Sequence, residues 1–135
     1  MTTKKTKGQL EADISAAMTQ FEREHLGRGP KEARTFIIQD MILIRLKGVL
    51  TPAEEKLALE KDGAQLIKQV RMRLIESSRS LLAQIIKEKT GAEVESVHTD
   101  ISSRTGERVF VLCLNKNLED ELKSNLPAGG YVSGR

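Results

Sequence analysis

The sequence predicts an α+β fold: a three-stranded, mainly antiparallel sheet covered by an N-terminal helix and a helical pair with one long member. Three observations carry this. Apolar residues recur every three or four positions over residues 10–21 and again over residues 66–86, which is the period of an amphipathic helix. The runs "TFIIQDMILIRL" and "RVFVLCL" are dense in β-branched and apolar residues and suit strands. Glycine and proline stand between these segments, at Gly27, Gly29-Pro30, Pro52 and Gly91, where a chain changes direction.

Taken in order, residues 1–8 read as a disordered basic tip. A helix from residue 9 to about residue 25 follows, with Leu10, Ile14, Ala17, Met18 and Phe21 on one face. Gly27 caps it, and Gly29-Pro30 prevents its resumption. Residues 35–46 read as one strand at an edge of the sheet. Phe36, Ile38, Ile42 and Ile44 fall on one side and Ile37, Met41 and Leu43 on the other, unless a bulge near Asp40 shifts the register.

"GVLTPAEE" marks a helix start, with Thr51 as N-cap, Pro52 in the first helical position and Glu54 completing a capping box. A break is expected around Asp62-Gly63. The long helix then runs to about residue 89, its stripe formed by Leu66, Ile67, Val70, Leu74, Leu81, Leu82, Ile85 and Ile86, and Gly91 closes it. Residues 93–101 and 108–114 read as a hairpin joined by "SSRTGE". Residues 116–124 suit a short helical turn, and "PAGGYVSGR" reads as a frayed tail. The expected organisation is therefore a single domain over 9–114, with the tip 1–8 before it and the segment 115–135 after it.

Composition limits the function classes. With three Phe, one Tyr and no Trp among 135 residues, the core must be aliphatic. The 22 Lys and Arg against 19 Asp and Glu leave a net charge of +3 and a pI near 9.1, but the two signs are interleaved as on solvated helix faces. Cys113 is alone, which rules out an internal disulfide and points to a reducing cytoplasm. No run reaches the roughly 20 apolar residues of a membrane span, so any membrane association is expected to be peripheral.

The stretch "GRGPKEARTFIIQD" looks most like a site. Backbone N–H groups around Gly27 and Gly29, with Arg28, Lys31 and Arg34, could form a nest for a small anion or a partner's acidic group. The competing reading is a helix-to-strand corner, and the glycines lack the Gly-Lys-Ser/Thr of a P-loop. Asp40, inside the most hydrophobic run, reads as a buried acid that needs a cation such as Arg34 or Arg45. His98 and Asp100 alternate on one strand without further ligands, and Cys113 suits a core position. No catalytic residue, metal or cofactor is expected. Met41 and Leu43 with Ile37 on an edge strand would need cover, which predicts a homodimer with these residues at the interface.

The quoted segments "GRGPKEAR", "GVLTPAEEKL", "TGAEVESVHTDIS" and "VFVL", in that order, resemble the MpsC-like family of small bacterial proteins over roughly residues 9–114. That family is named for a Na⁺-translocating, membrane-potential-generating system. The resemblance implies a non-enzymatic accessory or regulatory subunit of a membrane ion-translocating or bicarbonate uptake system, partnered by a membrane transporter subunit. The alternative is a nucleic-acid-binding module of KH-like topology, suggested by the order of elements from residue 35. The Gly-x-x-Gly clamp of KH domains is missing, since the helix junction reads "EKDGAQL", so nucleic acid is not the expected partner.

Overall fold

The computed structural model describes residues 5–125. Thr6 starts the first helix through a capping box: its hydroxyl accepts from the Gln9 N–H, and the Gln9 side chain accepts in turn from the Thr6 N–H. Helix α1 spans Lys7–Phe21, so the end of the expected disordered tip is helical. Residues 1–4 and 126–135, which include the expected tail, lie outside the described residues. A π-helical turn, Glu22–Leu26, extends α1 and ends where the Gly27 N–H donates to the Glu22 carbonyl at 2.9 Å.

The segment expected to be one strand is a hairpin. Strand β1, Glu32–Ile38, turns through Gln39-Asp40 into β2, Met41–Lys47, pairing Ile38 with Met41. Gln39 takes a positive φ of 54°, a conformation that few non-glycine residues adopt. Its neighbours hold it there: the Glu119 side chain accepts from the Gln39 N–H at 2.8 Å, and the Gln39 carbonyl accepts from the Glu119 N–H at 3.1 Å. Asp40 is exposed at the tip of this turn, not a buried acid.

The turn resets the two faces. Ile37, Ile42, Ile44 and Leu46 are buried against the helices, while Phe36 and Ile38 are exposed and Met41 and Leu43 half-buried on the other side. Ile37 therefore parts company with Met41 and Leu43, and cannot share an interface with them. Strands β3, Val94–Ile101, and β4, Arg108–Leu114, form the expected hairpin. Four strands, not three, make an antiparallel sheet in the order β1-β2-β4-β3.

Helix α2, Pro52–Leu57, starts at the expected Thr51–Glu54 capping box. Helix α3 spans Lys61–Thr90 and stops at Gly91, whose φ of 76° is the left-handed cap. The break between them falls at residues 58–60. Gly63 lies inside α3, where a Cβ would sit 2.1 Å from the Leu57 carbonyl oxygen, so glycine is what lets the two helices meet at this corner.

The buried line of α3 is Ile67, Arg71, Ile75, Leu82 and Ile86. Leu66 and Val70, expected in the stripe, are about half exposed, because each precedes a buried residue by one position and is rotated about 100° away from the core. Leu10, Ile14, Met18 and Phe21 of α1 complete the core against Phe110, Leu112 and Leu114 of β4. Burying such a side chain stabilises by about 1.5–3 kcal/mol. A short helix α4, Leu118–Leu122, and a 3₁₀ turn, Lys123–Asn125, end the described chain.

Candidate functional site

Three elements each place one charged side chain where the local period calls for an apolar one. Glu22 follows Leu10, Ile14 and Met18 at the next four-residue step of α1; Arg71 stands between Ile67 and Ile75 on α3; Arg108 alternates with Phe110, Leu112 and Leu114 on β4. All three meet inside the protein. Glu22 is fully buried, and Arg71 and Arg108 are each 2% exposed.

The geometry is asymmetric. Arg71 Nη2 donates to Glu54 Oε1 at 2.7 Å and to the Val49 carbonyl at 2.9 Å, and Arg71 Nε donates to Glu54 Oε2 at 3.3 Å. This forked pair ties α3 to the first turn of α2. Arg108 Nη1 donates to Thr99 Oγ1 at 3.1 Å, with its guanidinium 5.5 Å from the Phe110 ring centroid. Glu22 lies between the two arginines, 3.7 Å from Arg71 Nη1 and 3.5 Å from Arg108 Nε, and neither of its oxygens accepts a hydrogen bond from the described residues. Arg71 Nη1 and Arg108 Nε and Nη2 likewise have no hydrogen-bond partner among the described residues.

These contacts set the titration of the group. Burial pushes the Glu22 carboxyl above the usual carboxylate range, and the charges of Arg108 and Arg71 only partly oppose it because no N–H is bonded to it. Burial also works to raise Glu54, yet the hydrogen bonds from Arg71 and Thr51, with the charge of Arg71, outweigh it and leave Glu54 below the ordinary value. Burial lowers Arg108, opposed by Glu22. Two carboxylates face two guanidiniums, so the cluster is compensated in charge rather than built to trap a free anion. It can hold or release one proton at Glu22, and it joins α1, α2, α3 and β4. Among the described residues, no three of His, Cys, Asp and Glu come together as a metal site.

The glycine-rich stretch borders this cluster. Gly27 has φ of 150° and lies against the Arg71 guanidinium, where an added Cβ would be 3.3 Å from Nη2. Gly29 lies against the guanidinium of Arg23. The basic side chains do not gather on one anion: Arg28 Nη1 reaches the Leu50 carbonyl at 3.5 Å, the stem of Lys31 covers Gly48, and Arg34 is exposed and pairs with Glu32 at 2.9 Å. The backbone of Lys31 is also committed, its N–H donating to the Lys47 carbonyl at 2.8 Å. Asp40 pairs with neither Arg34 nor Arg45; the latter binds Glu107 at 2.5 Å. A surface groove lies elsewhere, between α1 and α3, lined by Asp13, Phe21, Glu24, His25, Ile85 and Lys89 among others.

Glu22, Arg71 and Arg108 were not among the residues that the sequence singled out. A signal for them exists, namely a charge in register with an apolar stripe, but each such position taken alone is equally consistent with a break in the stripe.

Residues 6–116 match a family described as "Na+-translocating membrane potential-generating system (MpsC)". The chain is also 49% identical over 123 residues to "Uncharacterized protein YbcI" of Bacillus subtilis (strain 168), a match covering 91% of this chain and 99% of that protein. No solved structure matches it significantly.

Proposed function

The chain belongs to the MpsC family, and from that premise we propose that it is a non-enzymatic accessory or regulatory subunit of a membrane ion-translocating or bicarbonate uptake system. The family match over residues 6–116 carries this reading, since it takes in every strand and the three longest helices. Among the described residues no helix is long and apolar enough to cross a membrane. In this reading the chain therefore acts on a subunit that does cross it, from the cytoplasmic side and as a peripheral component. The exposed apolar residues Leu66 and Val70, one turn apart on α3, favour contact with another protein.

The test is physiological and biochemical together. Deleting the gene in its host should lower the membrane potential read by a voltage-sensitive dye, or make growth depend on added bicarbonate, with both restored by the wild-type gene. The tagged chain should also co-purify with an identified multi-span protein from detergent-solubilised membranes. An unchanged potential and unchanged bicarbonate requirement would overturn the reading. Tight, salt-sensitive binding to single-stranded RNA would replace it with nucleic-acid binding.

A further inference from the structure

Helices α1 and α3 lie over one face of the sheet, and the strand register fixes what the other face presents. Its residues form three rows across β1, β2, β4 and β3: Arg34, Arg45, Val109, Asp100; then Phe36, Leu43, Val111, His98; then Ile38, Met41, Cys113, Ser96. The middle of this surface is apolar. Phe36 and Ile38 are 38% and 41% exposed, and Met41, Leu43, Val109, Val111 and Cys113 are half-buried.

We propose that this face packs on the same face of a second copy, with the two-fold axis running along the strands. Such an axis exchanges β1 with β3 and β2 with β4 while keeping each row in register. Leu43 then meets Val111 of the second copy, Met41 meets Cys113, and the exposed Arg34, paired with Glu32 in its own chain, meets Asp100, paired with Lys68 in its own, so that each charge gains a second partner. This axis sets one cation, Arg45, which Glu107 holds in its own chain, over an apolar residue, Val109; an axis across the strands would set two, Arg34 over Ile38 and Arg45 over Met41, and would leave Asp100 over Ser96 with no opposite charge. Charge complementarity thus selects both the occupant and the orientation. The result is a helix–sheet–sheet–helix sandwich with aligned strands.

The alternative of pairing two β1 edges is blunted by the protein itself. In a two-residue hairpin the Ile37 N–H points to the free edge, and the Glu11 side chain of α1 already accepts it at 2.8 Å. With strands about 4.8 Å apart and rows about 7 Å apart, the face measures roughly 20 by 20 Å. That is small beside the roughly 800 Å² per partner of a standard interface, so the dimer should be reversible and its mass should depend on concentration.

Light scattering across the micromolar range tests this, independently of the functional reading. Wild type should approach twice the monomer mass as concentration rises. Leu43→Lys should be monomeric with an unchanged circular-dichroism spectrum, and Phe36→Lys gives a second break on an edge strand should Leu43→Lys fail to fold. Arg34→Asp and Asp100→Arg should each weaken association roughly 3- to 10-fold, and the double exchange should restore it. A monomer at every concentration, or a dimer that survives both lysine substitutions, overturns the proposal. Failure of the double exchange to restore association overturns the axis.

Discussion

Gly27 faces the guanidinium of Arg71, where an added Cβ would lie 3.3 Å from Nη2, at a φ of 150° that side-chain-bearing residues rarely adopt. The backbone conformation disfavours a side chain there, and an added methyl group would also press on Arg71 Nη2. Gly27→Ala should therefore destabilise by about 1–3 kcal/mol. Gly29→Ala should cost much less, because what it meets is the far end of the Arg23 side chain, which can move. Urea melts of the two variants separate these cases; equal losses would mean that the conformation of Gly27 is not what matters.

Among the described residues, Arg71 is the one cation shared by Glu22 and Glu54. Removing it leaves two carboxylates facing Arg108 alone, and Arg71→Met should cost about 3–5 kcal/mol in denaturant melts. Adding Glu22→Gln should recover part of that loss, since the stranded charge disappears; strict additivity of the two changes would refute the coupling.

The raised pKa of Glu22 has a sign that can be measured. The folded chain holds this proton more tightly than the unfolded one, so stability should fall as pH rises from the ordinary glutamate value through the raised one. Glu22→Gln removes the titration. The stability of wild type minus that of Glu22→Gln should decline with pH in that window, and a rising difference would reverse the assignment. Glu54, whose pKa is depressed, behaves oppositely: its contribution is present above the unfolded value and fades as pH falls through the depressed one.

Gln39 holds a positive φ of 54°, which glycine adopts without the clash a Cβ brings. Gln39→Gly should raise stability by about 0.5–1 kcal/mol, read as an increase in the denaturation midpoint without a change in slope. Loss of stability would show that the Gln39 side chain contributes to the turn.

These positions show why part of the protein was legible and part was not. Thr51, Pro52 and Glu54 announce a helix because every interaction of a capping box lies within four residues, and Gly91 announces a stop for the same reason. The β1–β2 hairpin was hidden, because Gln39-Asp40 is not a dipeptide that makes a tight turn by itself; its conformation is imposed by Glu119, 80 residues away. The phase of α3 was misjudged at Leu66 and Val70, where Arg71 occupies the buried line by virtue of partners on α1 and α2. Likewise "GRGPKEAR" was visible as a special segment, but the neighbour that makes Gly27 special is Arg71, which no local pattern connects to it.

The same Glu119 carboxylate accepts from Lys7 Nζ at 2.9 Å as well as from Gln39. A turn made early in the chain and a helix made earlier still are thus both fastened by a residue near its far end. On the ribosome, the β1–β2 turn must wait for about 80 further residues to emerge before it receives its fastening. Closing so large a loop is slow, and the nascent hairpin spends that interval with its turn unsupported.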